Sequence, residues 1–227
     1  MDLSREYSAI GPLLLKAVEA VFSSQNFIMG AQVAEFERAV EQKLGVAHAI
    51  GCSSGTDALW LALQAAGIGP GDAVVTTAFS FFATASAILR TGAQAVLADI
   101  DPETFNLDAA ATRTCLESST GSAVRAILPV HLYGQIVDWD CFALLKQDYG
   151  VLLIEDAAQA FGASWEGRHA GALGDAAAFS FYPTKNLSAG GDAGMVTSGV
   201  ESIAHRVRLL RVHGMLHRYH HDEIGWN

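Results

Sequence analysis

Apolar side chains recur at helical spacing at Leu14, Val18, Val21 and Phe22, and again at Val33, Phe36, Val40 and Leu44, so the chain opens with two amphipathic helices. From His48 onward the period shortens. Apolar or β-branched runs at His48–Ile50, Ala73–Thr76, Ala95–Ala98, Ala123–Pro129, Val151–Glu155 and Ala177–Phe181 read as strands. Between them, helical segments fall near Asp57–Ala66, Phe82–Leu89, Asp108–Leu116 and Trp139–Gln147. Met195–Thr197 adds a strand and Ser202–Val212 a helix behind it. Turn residues at Gly67–Asp72 and Asp101–Phe105 punctuate the units. Such alternation predicts an α/β fold, a mostly parallel central sheet sandwiched by helices. No internal repeat, low-complexity stretch or linker interrupts it.

Composition narrows the function classes. The 227 residues are 51% hydrophobic and 17% charged, which supports a large core and excludes disorder or a fibrous repeat. Acidic residues outnumber basic ones 24 to 14, for a net charge of -10, and that argues against a duplex nucleic-acid binder. Cys52, Cys115 and Cys141 form no CxxC pair, so neither a disulfide framework nor a zinc ribbon is indicated, and free thiols in a reducing cytoplasm are expected. Acidic residues break up the N-terminal apolar run and no cleavage site follows it. No stretch reaches the roughly 18 to 20 apolar residues of a membrane span, so the expected location is cytoplasmic, with no membrane partner.

In open α/β sheets ligands sit beyond the carboxyl ends of strands, and four of those ends carry unusual chemistry. Gly51–Asp57 is a Ser/Gly/Thr turn opening a helix, which suits a phosphate but equally makes an ordinary N-cap at Ser54 or Thr56. It is neither a GxxxxGK loop nor a GxGxxG turn. Asp156 ends the apolar strand, where a carboxylate needs a cation or hydrogen-bond donors, and Gln159 lies three residues on; a structural carboxylate capping a turn is the alternative. Lys185 follows an apolar strand and a Pro turn, and is either a nucleophilic amine of lowered pKa or a solvated surface charge. The aromatics of Phe79–Phe82 can stack on a planar ring or fill the core.

Together, a phosphate cradle, a stacking aromatic, a buried carboxylate and a Schiff-base lysine are the parts needed to hold pyridoxal 5'-phosphate. The same residues, in the same order, resemble the nucleotide-sugar aminotransferases of the DegT/DnrJ/StrS type, within the aspartate-aminotransferase-like fold. The resemblance runs through Asn26–Gly30, Phe36–Glu37, SSGTDAL, PGD, SFFAT, Pro129–Gln135, EDAAQA and FSFYPTKNL to Arg211–Gly214 and Tyr219–Asn227. It implies that Lys185 forms the Schiff base to the cofactor, Asp156 pairs with its pyridinium nitrogen, Gln159 sits near its phenolic oxygen and Phe81 stacks on its ring. Gly55, Thr56 and Ser180 would hold its phosphate. Asn227 would reach the phosphate of a neighbouring subunit, which makes a homodimer the expected unit.

The reaction implied is transfer of an amino group, usually from L-glutamate, to a keto carbon of a nucleotide-activated sugar. Lys185 favours this over the dehydration catalysed by relatives with His at that position. A cyclitol or other keto substrate, or a non-catalytic regulatory relative, are the alternatives. The resemblance also implies that residues 1–227 are N-terminal helices plus a large cofactor-binding domain, cut before a smaller carboxyl-terminal domain. Ala193 departs from a glycine usual in the family, and costs about 1 kcal/mol if the position needs φ > 0.

Other constellations carry less. His213, His217, His220 and His221 cluster in a polar tail without Cys, read as a mobile or partner-facing loop rather than a metal site, with substrate contact as the alternative. His131, near Tyr133, is either a base or a strand-end core histidine. No GxSxG elbow supports a serine hydrolase.

Overall fold

The alternation of apolar and small residues along each predicted strand decides which layer each side chain joins. The computed structural model describes residues 2–118, 124–217 and 219–226. Two helices, α1 (Ser4–Ser24) and α2 (Ala31–Leu44), lead into β1 (His48–Cys52) and α3 (Gly55–Ala65). Then follow β2 (Ala73–Thr77), α4 (Phe82–Arg90), β3 (Gln94–Ala98), α5 (Ala109–Glu117), β4 (Val124–Ile127), α6 (Trp139–Tyr149) and β5 (Leu152–Asp156). A short hairpin, β6 (Ser164–Trp165) and β7 (Arg168–His169), precedes β8 (Ala176–Ser180), β9 (Gly194–Ser198) and α7 (Glu201–Leu210). The tail forms a second hairpin from β10 (Met215–His217) and β11 (His220–His221). The expected strand start at Ala123 lies outside the described residues.

Seven strands make one sheet in the order β1-β9-β8-β5-β4-β2-β3. Neighbours from β8 to β3 pair in parallel, whereas β9 runs antiparallel to both β8 and β1. Only β9 is therefore reversed, and β1, β2, β5 and β8 all end at the same edge. Val74, Ala126, Ile154, Ala178 and Val196 turn toward α3, α4 and α7. Their neighbours Val75, Ile127, Leu153, Ala177 and Met195 turn to the other face, packing with Val40, Leu116, Phe142 and Leu145. Each large side chain buried this way contributes about 1.5–3 kcal/mol.

Close approach fixes one glycine of the sheet. Gly194 pairs with both Cys52 and Ser180, and a Cβ there would run into the carbonyl oxygen of Ser54. Its neighbour Ala193 does not adopt a left-handed backbone, so the conformational cost anticipated for it does not arise.

Two segments differ from expectation. The apolar face of α1 lies on the surface: Leu14, Val18 and Phe22 are exposed, and only Gly11 of this helix is buried. The tail, in contrast, is packed back on the body. Trp226 meets Trp60 edge-on at 5.8 Å, its N–H donates to Leu210 O, and Glu223 pairs with Arg206. A single aromatic anchor has no period to reveal it. Among the described residues no group of three or more metal-ligating side chains is placed to hold an ion.

Candidate active site

A cavity of about 550 Å³ opens at the common carboxyl edge of β1, β2, β5 and β8. Ser54 caps α3, its Oγ accepting from Asp57 N at 3.1 Å and donating to Asp57 Oδ2 at 2.9 Å. The N–H groups of Gly55 and Thr56, first in that helix, have no intrahelical acceptor and stand at its positive end on the cavity wall. Ser180, at the end of β8, closes the same wall so tightly that a Cβ on Gly55 would lie 2.5 Å from its Cβ. Backbone donors and two hydroxyls are thus brought to one small cradle.

Asp156 ends β5 and is 4% exposed. Desolvation pushes its carboxyl above the ordinary range, opposed by a hydrogen bond from Thr84, one from the Ala158 N–H, and the nearby Lys185. Thr84 Oγ1 donates to Oδ2 at 2.7 Å; Ala158 N donates to Oδ1 at 3.3 Å. Lys185 lines the same cavity, half-buried in the turn after β8, where its N–H donates to Tyr182 O. Burial lowers its amine pKa and Asp156 partly restores it. A cation and a carboxylate, each destabilised by desolvation, therefore share one space.

Phe81 stands at the cavity wall with 75% of its surface exposed, an aromatic face that the core does not claim. Gln159 also lines the cavity, and its Oε1 accepts from Tyr133 N at 2.8 Å. That bond assigns the amide orientation and leaves the NH₂ group free to donate. Tyr133 has φ 54°, a left-handed conformation that the bond to Gln159 helps hold. Asn227 lies outside the described residues.

Three supporting contacts escaped the reading of the sequence. Glu155, adjacent to Asp156 but on the opposite face of β5, is fully buried and accepts N–H bonds from Gly171, Leu173 and Gly174. Its Oε2 lies 3.0 Å from His131 Nε2, and Val137 N approaches His131 Nδ1 at 3.5 Å, so the imidazole donates to Glu155. His131 is accordingly a core histidine. Second, Glu37 accepts from Gly51 N and Arg211 Nη1, while Arg211 also donates to Gly51 O, clamping the end of β1 before the cradle. Third, Thr84 of α4 lies 2.7 Å, hydroxyl to hydroxyl, from Ser80, which precedes the helix and its N-cap Phe81. Cys52 is no nucleophile, because burial pushes its thiol up to about 12.

An α/β sheet whose carboxyl edge joins a phosphate-type cradle to a lysine and a carboxylate has the form of a small-molecule binding site. Residues 9–227 match the DegT/DnrJ/EryC1/StrS aminotransferase family, and the chain belongs to it. It is 45% identical over its whole length to a pleiotropic regulatory protein of Geobacillus stearothermophilus, of which it covers 60%. It is 41% identical, with the same coverage, to a UDP-N-acetyl-3-dehydro-alpha-D-glucosamine 3-aminotransferase of Acidithiobacillus ferrooxidans. Among solved structures, DesV of S. venezuelae in complex with a ketimine intermediate superposes with TM-score 0.95 at 38% identity, covering 100% of this chain and 60% of that one. NtdA of Bacillus subtilis with bound cofactor PMP gives TM-score 0.86 at 31% identity, covering 93% and 48%. The chain thus spans about 60% of the length of the relatives it matches.

Proposed function

We propose that the protein is a pyridoxal 5'-phosphate-dependent aminotransferase that moves an amino group from L-glutamate to the keto carbon of a nucleotide-linked sugar. The observation that carries this reading is the meeting of Lys185 and Asp156 in one cavity with the cradle at the start of α3. The residues fit the cofactor on three counts. The cavity lies within the usual size of a small-molecule site, roughly 300–1,000 Å³. Its cradle offers N–H groups and hydroxyls where a Cβ on Gly55 would intrude. Among the described residues its buried carboxylate forms no ion pair, and a protonated ring nitrogen would supply the cationic partner.

When bound, the cofactor provides an aldehyde and an electron-accepting ring. Gly55, Thr56 and Ser180 would hold its phosphate, and Phe81 would cover its ring. Asp156 would accept a hydrogen bond from the protonated ring nitrogen. Gln159 donates through Nε2. Burial lowers the pKa of Lys185 Nζ, which suits this amine to serve as nucleophile and as the base that would take and return the substrate proton. The aminotransferase name of the Acidithiobacillus relative supports a nucleotide-linked keto sugar as substrate. We place the protein in the cytoplasm as a homodimer, with Asn227 reaching the partner's site. The exposed apolar face of α1 supports association, and among the described residues no helix is long and apolar enough to cross a membrane.

The pleiotropic regulatory name of the Geobacillus relative favours one second reading, a regulatory protein that retains the site. One experiment separates the two. Protein incubated with pyridoxal phosphate should show a visible absorption band that changes with L-glutamate, release 2-oxoglutarate, and lose both properties in Lys185→Ala. A folded protein with no band sinks the enzymatic reading.

A further inference from the structure

The carboxylate at the end of β5 is held by a chain of hydroxyls that begins at the cavity wall. Ser80 is half-buried and lines the cavity; its Oγ lies 2.7 Å from Thr84 Oγ1, which lies 2.7 Å from Asp156 Oδ2. Thr84 is 1% exposed, in the first turn of α4. The ionised form of Asp156 has no proton to give, so in that form the single hydrogen of Thr84 points to Asp156. The lone pairs of Thr84 then face Ser80, whose hydroxyl must donate. The chain has one direction, each link polarising the next.

We propose that Thr84, oriented by Ser80, is a positioning residue that holds Asp156 ionised and turns its Oδ1 edge to the ligand in the cavity. The inference rests on the reading of Asp156 given above. Oδ2 is occupied by a short, buried hydrogen bond, whereas Oδ1 receives only the longer one from Ala158 and keeps acceptor capacity. The carboxylate is thus fixed in rotation by a contact that makes no use of the edge left for the ligand. The charged or titratable groups facing it are Lys185, from the turn after β8, and His131, from the segment after β4 and already committed to Glu155. Neither occupies Oδ2. Thr84 joins α4 to β5, across 72 residues of sequence, and carries the position of the aromatic turn that precedes it into the carboxylate.

Thr84→Val keeps the shape of the side chain and removes the donor; Thr84→Ser keeps the donor. The Asp156 carboxyl can be followed by carbon-13 NMR of unliganded protein with labelled aspartate, and pyridoxal phosphate affinity by absorbance titration. In Thr84→Val we expect an Asp156 midpoint raised by about one pH unit or more and cofactor affinity weakened about tenfold at neutral pH. Thr84→Ser should stay near wild type in both. Ser80→Ala should raise the midpoint by less. A Thr84→Val protein with wild-type midpoint and affinity overturns the proposal. If Thr84→Val does not fold, an unchanged midpoint in Ser80→Ala overturns it instead. If wild-type protein fails to take up pyridoxal phosphate while the midpoint still shifts in Thr84→Val, the proposed function fails and the positioning role stands.

Discussion

Asp156 shows how one residue is kept at a cost to the unliganded protein. Desolvation raises its folded-state pKa above 3.8, so the folded chain binds this proton more tightly than the unfolded chain, and the ionised form is a burden at neutral pH. The burden eases as pH falls through the folded midpoint. Asp156→Asn should therefore be more stable than wild type at pH 7 without ligand, by about 1 kcal/mol, or roughly 2–4 °C in melting temperature. Lys185 subtracts little from this, being half-exposed. The gain should vanish in acid, and the variant should bind pyridoxal phosphate poorly; a lower melting temperature at pH 7 would contradict the argument. The sequence sets Asp156 at the end of a readable strand and Gln159 and Lys185 after one, and the fold brings all three to one cavity. Thr84 was not legible in the sequence, since its partner lies in another unit and only the pairing of β2, β4 and β5 brings α4 beside it. Glu155 was hidden for a different reason: neighbours along a strand face opposite ways, and attention to Asp156 says nothing about the other face.

The α/β units are the most legible elements, with α3, α4, α5, α6 and α7 falling within about two residues of their predicted bounds, as expected for strongly periodic segments. Sheet order left no such mark. The reversal of β9 depends on which strands it enters between, and β9 is buried along its whole length just as the parallel strand β2 is. The hairpin of β6 and β7, two residues per strand, is too short to show a period. What secures the segment after it is Glu155, which ties Gly171, Leu173 and Gly174 to β5. Replacing Glu155 by Gln turns an N–H donor toward groups that need an acceptor and leaves His131 without its carboxylate. Glu155→Gln should lose about 2–4 kcal/mol in urea unfolding, with little change in the slope. An effect below the error of extrapolation would show that the cluster is dispensable.

For the whole molecule, the outstanding feature is the uncovered side of α1, where Leu14, Val18 and Phe22 face solvent. Leu14→Glu combined with Phe22→Glu should shift the protein from dimer to monomer in sedimentation velocity while leaving the far-ultraviolet circular dichroism unchanged, because neither side chain belongs to a core cluster. A wild-type monomer, or a dimer indifferent to both charges, would remove α1 from the interface. Amphipathicity was readable in the chain, but the partner of an apolar face is not a property of one helix.

The sheet also carries a consequence for the order of assembly. β1, which delivers the cradle, is an edge strand whose only neighbour is β9, with His48 paired to Ser198. During synthesis β2, β3, β4 and β5 can pair as they emerge, but β1 must wait until β9, the last strand of the sheet, has been made. This long-range closure raises the contact order of the ligand-binding edge relative to the rest. The cradle should therefore be among the last parts to become protected from hydrogen exchange during refolding, and the waiting β1 among the segments most in need of shelter from aggregation.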